Sequence, residues 1–424
     1  MLEIIRSENQ NALARLFEAR QAHEAAAEKA ARRIIGEVRR EGDAALARLT
    51  KKFDKTDLHK EGFTVTPGEI SAAYREVPKA FVAAARQAAR NIRVTAQRQM
   101  PKGWMSAVSP GVEAGQMIRP LDRVACYVPG GRFPLPSTVL MGVIPAQVAG
   151  VKEIIVTSPH PAAAVCVAAD MLGVKKIFRL GGAQAIAAFA YGTKSVSRVD
   201  KIVGPGNRYV AAAKKLISGE CGIDFIAGPT EVVVVGSKGR AAWIAADLVA
   251  QAEHDSDASA ILITSSMKLA LAVQKSAQKI LERLSLPVAE ASLGGHGAII
   301  ITRNISDAVE LANRFAPEHL TLLDDAVSCL GQVRSAGAIF LGGYSAVAAG
   351  DYASGGNHIL PTAGTARVRG GLTAADFVKS ISVQRLSRAG LSGLRRSIVT
   401  LAETEGLTAH ARSIDVRFEN DPRA

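Results

Sequence analysis

Hydrophobic and polar positions change rhythm along the chain. The run from Glu24 to Leu46 is rich in Ala, Glu and Arg, all good helix formers, and residues 1 to about 100 read as helical. Between 101 and 125, Pro101, Gly103, Pro110, Gly111 and Pro120 break any helix, so short strands are expected there. From Val124 onward, short apolar runs alternate with helical stretches. Val124–Val128 ends in Pro129-Gly130-Gly131, and Glu153–Thr157 follows. Lys176–Leu180 ends in Gly181-Gly182-Ala183-Gln184, and Lys201–Val203 ends in Gly204-Pro205-Gly206-Asn207. A second series has strands at Glu231–Val235, Ala260–Thr264, Ala298–Thr302 and Ala338–Leu341, separated by helices. The stretch beyond about Gly370 reads as helical and amphipathic, with Asp376, Phe377, Ile381 and Val383 leading into Arg385–Thr404.

Strands that alternate with helices predict an α/β fold, with mostly parallel sheets covered by helices. Each Gly turn would leave a helix N-terminus at the carboxyl end of a strand, where such folds bind ligands. None of the turns matches G-x-G-x-x-G, so the usual dinucleotide fingerprint is absent. One Gly turn alone says only that the chain turns tightly; three at equivalent strand ends point to a shared binding edge.

Composition narrows the class without naming a function. With 424 residues the chain can bury a large core, and 48% hydrophobic with 21% charged residues is ordinary for a globular protein. The formal net charge is +13, which raises nucleic acid as a partner. Arg32–Arg33 and Arg39–Arg40 alternate with Glu28 and Glu37, however, and no long basic block or aromatic interleaving accompanies them, so no nucleic-acid partner is expected. The four cysteines form no C-x-x-C pair, which fits a reducing compartment. The first residues carry no basic segment followed by an apolar run, and no apolar stretch approaches a membrane span. The cytoplasm is therefore the expected location, with no membrane partner.

Several polar clusters are candidates for chemistry. Gln251 and His254 lie three apart at a helix end, an arrangement that suits either a polar cap or one amide and one imidazole on a borderline cation such as zinc. Asp351 and His358 flank a Gly-rich bend, which is equally the composition of a surface loop. Glu318-His319 sits where a helix gives way to a strand; an adjacent acid and imidazole can activate water and accept a proton, or simply occupy a turn. Glu405 and His410 lie far along the chain, so sharing a site with the others requires folding back or a second subunit. Cys126, next to Tyr127, raises a rival in which a thiolate traps an aldehyde, although a buried strand cysteine is usually inert.

At these residues the chain resembles the histidinol dehydrogenase family. The matching stretches are Tyr127-Val-Pro-Gly-Gly131, Gly181-Gly-Ala-Gln-Ala-Ile-Ala187, Lys201-Ile-Val-Gly-Pro-Gly-Asn207 and Ala227-Gly-Pro-Thr-Glu231. Further along come Gln251-Ala-Glu-His254, Ala316-Pro-Glu-His-Leu320, Gly350-Asp-Tyr with Asn357-His-Ile-Leu-Pro361, and Glu405-Gly-Leu-Thr-Ala-His410. The resemblance runs from the first helical region to about Val416. It implies oxidation of L-histidinol to L-histidine through L-histidinal, with two NAD⁺ and one water, as the last step of histidine biosynthesis.

The same resemblance implies one zinc ion per subunit, held by Gln251, His254, Asp351 and His410, and a homodimer whose tail completes the partner's site. It makes Glu318 the general base for water and His319 the proton acceptor. Tyr127, Gln184 and Asn207 match the family's NAD contacts. Thr230, Glu405 and His319 join the zinc ligands around the substrate, with His358 close by. It also implies two incomplete Rossmann-like domains, in agreement with the missing fingerprint. The expected division is residues 1–123 with 232–370 as one α/β domain carrying the N-terminal helices, 124–231 as the second, and 371–424 as a helical dimerisation tail. A related NAD-linked dehydrogenase acting on another small hydroxy compound is the nearest rival.

Overall fold

The computed structural model describes residues 2–20, 25–131 and 134–419. Strand β1 (Glu3–Arg6) opens the chain and is followed by helices as far as Arg98; β2 (Trp104–Ser109) and β3 (Val112–Pro120) come next. Then follow β4 (Arg123–Tyr127), β5 (Glu153–Thr157), β6 (Lys176–Phe178), β7 (Lys201–Val203) and β8 (Gly222–Ile223). A second series holds β9 (Glu231–Val235), β10 (Ser259–Thr264), β11 (Ala298–Ile301), β12 (His319–Leu322) and β13 (Ala338–Leu341), and β14 (Val378–Leu386) comes last.

Two compact units result. The first comprises Met1–Gln99 and Leu121–Phe377, the second Met100–Pro120 and Val378–Ala424. In the first unit lie two all-parallel sheets, ordered β6-β5-β4-β7-β8 and β1-β11-β10-β9-β12-β13. Apart from β1 the two orders are the same: in each, the first three strands step one way and the fourth returns to the far side of the first. Each sheet therefore has a switch point, between β4 and β7 in one and between β9 and β12 in the other. Ligands of open α/β folds settle at the carboxyl ends of strands at such points.

The sequence explains why these strands sit centrally. All five residues of β9, Glu231 to Val235, are buried, as expected for a strand covered on both faces. Val232 and Val234 pack with Ile244, Ala245 and Leu248 of the helix Ala241–Ala252. Val233 and Val235 pack with Ala308, Val309 and Ala312 of the helix Ile305–Phe315 on the opposite face. In the other sheet the Ala-rich helix Gly182–Tyr191 is buried almost throughout, because its small side chains admit close neighbours. A larger side chain at the fully buried Ala187 would overpack it, at a cost of about 1–3 kcal/mol.

Three readings of the sequence need correction. The segment at residues 3–6 is a strand rather than helix, because Ile4 and Ile5 complete the edge beside Ile299 and Ile300 of β11. The helical run expected from Glu24 to Leu46 (Glu24 itself lies outside the described residues) is two helices, Ala25–Glu41 and Asp43–Phe53, separated by Gly42 at φ 55°. Finally, the tail begins not as a helix but as β14, which pairs antiparallel with β3 over its whole length. In the second unit β3 lies between β14 and β2, and the helices Arg388–Thr404 and Thr408–Asp415 follow. Among the described residues no helix is long and apolar enough to cross a membrane.

Candidate active site

The acid–imidazole pair is placed by a helix stop. The helix Ile305–Phe315 ends at Ala316, whose backbone is left-handed at φ 48°, and Pro317 prevents the helix from resuming. Glu318 and His319 then enter β12 at its amino end, 6% and 3% exposed. A buried carboxylate needs donors. Glu318 has two: the Thr230 hydroxyl, and the backbone N–H of Glu231 at 2.9 Å. The Gln251 amide nitrogen in turn donates to the Thr230 hydroxyl oxygen. That contact commits the nitrogen and leaves the amide oxygen as the end available to a cation.

Beneath this chain lies a second buried pair that sequence reasoning missed. Arg20 makes two hydrogen bonds of 2.7 Å to Glu231, and its remaining nitrogen donates to the Phe315 carbonyl at 2.8 Å. Glu231 also accepts from the backbone of Ala363. The pair thus ties the end of the helix before Glu318 to the start of β9, fixing both walls of the site. Only the burial of both partners reveals it, since 211 residues separate them in the chain.

The imidazole of His319 is held between charges. Its Nδ1 lies 3.0 Å from the Glu231 carbonyl oxygen and 3.5 Å from Glu318. Its Nε2 lies 3.4 Å from Asp351 without the geometry of a hydrogen bond, and so has no hydrogen-bond partner. Burial opposes charging, but Glu318 and Asp351 outweigh it and push the His319 pKa up to about 10.

Asp351 stands on the short helix Val347–Tyr352 rather than in a loop, and is half-buried. Burial would raise its carboxyl, but His319 and the nearby charges of His358 and His254 hold it below the ordinary range. His358 bonds the Asp351 backbone oxygen at 3.1 Å and the Thr138 hydroxyl at 3.0 Å, joining this segment to the helix Pro136–Ala149 that follows β4. Burial lowers the His358 pKa. His254 is exposed just beyond the end of the helix Ala241–Ala252.

Tyr127, Gln184 and Asn207 mark the carboxyl edge of the other sheet. Tyr127 ends β4, and its hydroxyl accepts from the Gly182 backbone at 3.1 Å, at the start of the helix Gly182–Tyr191. Gln184 is buried and donates to Asp54 at 3.0 Å. Asn207 is exposed and caps the helix Arg208–Ile217, accepting from the N–H groups of Tyr209 and Val210. Gly204, at φ 115°, packs so closely that a Cβ there would strike the Tyr127 carbonyl oxygen at 2.0 Å. The loops after β4 and β7 therefore touch at the switch point, and Asn207 closes the second of them. The crevice lies where such folds bind a dinucleotide, even without the fingerprint.

Thr230, Gln251, Glu318, His319 and Asp351 are thus brought together, with His254 and His358 near Asp351. Glu405, at the end of the helix Arg388–Thr404, and His410, on the helix Thr408–Asp415, are exposed in the second unit. Among the described residues no three His, Cys, Asp or Glu side chains group as metal ligands. The expected set draws only His254 and Asp351 of those types from the first unit. The donor types nonetheless suit a borderline cation: an amide oxygen, a carboxylate and an exposed imidazole, beside a buried Nε2 that has no partner. Cys126 is 1% exposed, and burial pushes its thiol up to about 12, so it remains protonated and serves as packing rather than as a trap for aldehyde.

Comparisons with known proteins point to one family. The family model described as histidinol dehydrogenase matches residues 18–418. The histidinol dehydrogenase of Methanothermobacter thermautotrophicus is 48% identical, over 91% of this chain and 92% of that protein. That of Halalkalibacterium halodurans is 49% identical, over 92% and 93%. The crystal structure of histidinol dehydrogenase from Elizabethkingia anophelis superposes with a TM-score of 0.93 at 34% identity, covering 99% of this chain and 98% of that one.

Proposed function

The chain belongs to the histidinol dehydrogenase family, and on that premise we propose that it carries L-histidinol to L-histidine in two NAD-linked oxidations through L-histidinal, with zinc bound. The observation that carries this reading is the buried pair Glu318–His319, hydrogen-bonded by Thr230 and Glu231 and facing Asp351.

The reaction balances as R–CH2OH + 2 NAD⁺ + H2O giving R–COO⁻ + 2 NADH + 3 H⁺. In the first half His319, in its neutral form, accepts the alcohol proton at Nε2, the nitrogen without a hydrogen-bond partner, as a hydride leaves the carbinol carbon; the neutral form requires that the Asp351 charge, which raises the ring's pKa, be balanced by a bound cation. In the second half Glu318 takes a proton from water as the water oxygen adds to the aldehyde carbon; the resulting diol monoanion loses the second hydride to give the acid, which then releases its proton. Thr230 and the Glu231 N–H hold the Glu318 carboxylate in place. When bound, the coenzyme supplies the hydride acceptor for each half, and Tyr127, Gln184 and Asn207 would hold it along the carboxyl edge of β4 and β7. When bound, the metal supplies a Lewis-acid template that grips the substrate's nitrogens and cancels the charge on Asp351; Gln251, His254, Asp351 and His410 would hold it.

A homodimer completes the reading, with the tail of one subunit bringing His410 and Glu405 to the site of the other. Support comes from their exposure in the single chain and from the one zinc ligand, His410, that the first unit does not supply. The test is NADH formation from L-histidinol before and after chelation, alongside the zinc content per subunit. Loss of activity with loss of zinc, restored together, supports the proposal. Full activity in metal-free protein refutes the metal half of it.

A further inference from the structure

The switch point between β9 and β12 also carries a cavity, and no step of the dehydrogenase reaction uses it. The catalytic pair sits at the amino end of β12; the cavity lies at the carboxyl ends of β9, β12 and β13, the position that corresponds to the proposed coenzyme crevice of the other sheet. Its volume is about 200 Å³, below the roughly 300–1,000 Å³ of ordinary cofactor clefts, so it is too small for a dinucleotide. Arg240, Trp243, Asp247, Thr321, Asp324 and Tyr344 line it.

These side chains are of three chemical kinds. The helix Ala241–Ala252 begins with no side-chain cap and no acid in its first turn, and Arg240 stands at that end. Free N–H groups, the helix dipole and a guanidinium together favour a carboxylate. Two carboxylates also line the cavity. Asp247 makes no hydrogen bond or ion pair among the described residues, and burial pushes its carboxyl up to about 6; Asp324 accepts only from the Gly343 backbone at 3.2 Å. They favour a cation. The third kind is aromatic: the rings of Trp243 and Tyr344 lie 5.1 Å apart at 58°, with Tyr344 exposed. Thr321 is the fourth feature. It is 2% exposed, it lines the cavity, and its hydroxyl has no hydrogen-bond partner. A buried hydroxyl left without a partner is costly unless a ligand or water satisfies it.

We infer that this cavity is a binding site for a free α-amino acid with a planar side chain, its carboxylate at Arg240 and the helix N-terminus, its ammonium between Asp247 and Asp324, and its ring against Trp243 and Tyr344. A simple anion would meet the two carboxylates, and a simple cation would meet Arg240, whose guanidinium already lies 4.4 Å from the Trp243 ring centre. Only a zwitterion satisfies groups of both signs. The inference stands independently of the dehydrogenase reading, because its site and its readout are separate.

The chain has two tryptophans, so Trp104→Phe in the full-length enzyme leaves Trp243 as the sole indole reporter. L-phenylalanine, whose side chain does not bind metals, is titrated against its emission. A saturable change is expected, weakened at least tenfold by Arg240→Gln and by Asp324→Asn, both at exposed positions. Phenethylamine, which lacks the carboxylate, and 3-phenylpropionate, which lacks the ammonium, should each bind at least tenfold more weakly. The KM for L-histidinol should be unchanged in both variants. No saturable response, a response that both substitutions leave intact, or phenethylamine binding as tightly as L-phenylalanine would each overturn the inference. None of these outcomes touches NADH formation from L-histidinol, which tests the dehydrogenase reading on its own.

Discussion

His319 Nδ1 lies 3.0 Å from the backbone carbonyl oxygen of Glu231. A carbonyl only accepts, so Nδ1 carries the proton of the neutral ring and Nε2 is the basic nitrogen. That nitrogen is the one facing Asp351. The tautomer required of a proton acceptor is thus set by the backbone of β9, next to the N–H that holds Glu318. Replacing His319 with Asn should slow alcohol oxidation by about 10²–10⁴-fold, in the range of general-base catalysis. Turnover of L-histidinol and of L-histidinal, assayed separately, gives the check, and the alcohol step should suffer more.

Glu318→Gln should show the opposite split. The amide cannot take a proton from water, so conversion of L-histidinal to L-histidine should fall further than conversion of L-histidinol to L-histidinal. Equal losses in the two assays would remove Glu318 from the role of base.

Thr230→Val removes the hydroxyl that donates to Glu318 and accepts from Gln251. A buried group left without its partner costs about 1–3 kcal/mol. The variant should unfold at lower urea and lose activity on L-histidinal, while Thr230→Ser recovers both. A valine variant as stable and active as the parent would show that the contact is incidental.

The Arg20–Glu231 pair predicts a larger loss. Both side chains are under a tenth exposed, and removing one leaves the other charge buried. Arg20→Met should destabilise by about 3–5 kcal/mol in urea unfolding. A loss below about 1 kcal/mol would mean that Glu231 finds another partner.

On the surface of the first unit, Glu69 gives a pH-dependent test. The hydrogen bond from Arg179, followed by that from the Thr66 backbone, lowers its pKa from 4.5 to about 2. A lowered carboxyl pKa stabilises the fold above the unfolded value, and that stability disappears as pH falls from about 4.5 toward 2. The stability gap between the parent and Glu69→Gln should therefore close over that window. Because Glu69 is half exposed, the gap is modest and shrinks with salt. A gap independent of pH would contradict the pairing.

Much of this site was legible in the sequence where chemistry and local structure coincide. Pro317-Glu318-His319 stands at a helix stop, and the apolar run in β9 announces a buried parallel strand. What stayed hidden is non-local. The four residues of β1 take their strand form from β11, almost 300 residues away. In β14, Val378–Leu386 is mostly exposed and carries no strong alternation, so its strand form depends on β3. Likewise Gln251 and Asp351 stand 100 positions apart, and the residues' own spacing could not join them; the family resemblance did. Thr138, Asp54 and Arg20 carried no local signal, and only folding brings them to His358, Gln184 and Glu231.

Metal retention isolates His254. It is exposed and its side chain makes no hydrogen bond among the described residues, so His254→Asn should leave unfolding unchanged while zinc is lost on dialysis. Zinc content equal to the parent after dialysis would take His254 out of the ligand set.

The most direct test of the whole account is the number of NADH molecules formed from a limiting amount of L-histidinol, followed to completion with the product identified. Two NADH per substrate, with L-histidine as the product, is the predicted result. One NADH per substrate with free L-histidinal accumulating would contradict it, because a site with both Glu318 and His319 in place would then be performing only the first oxidation.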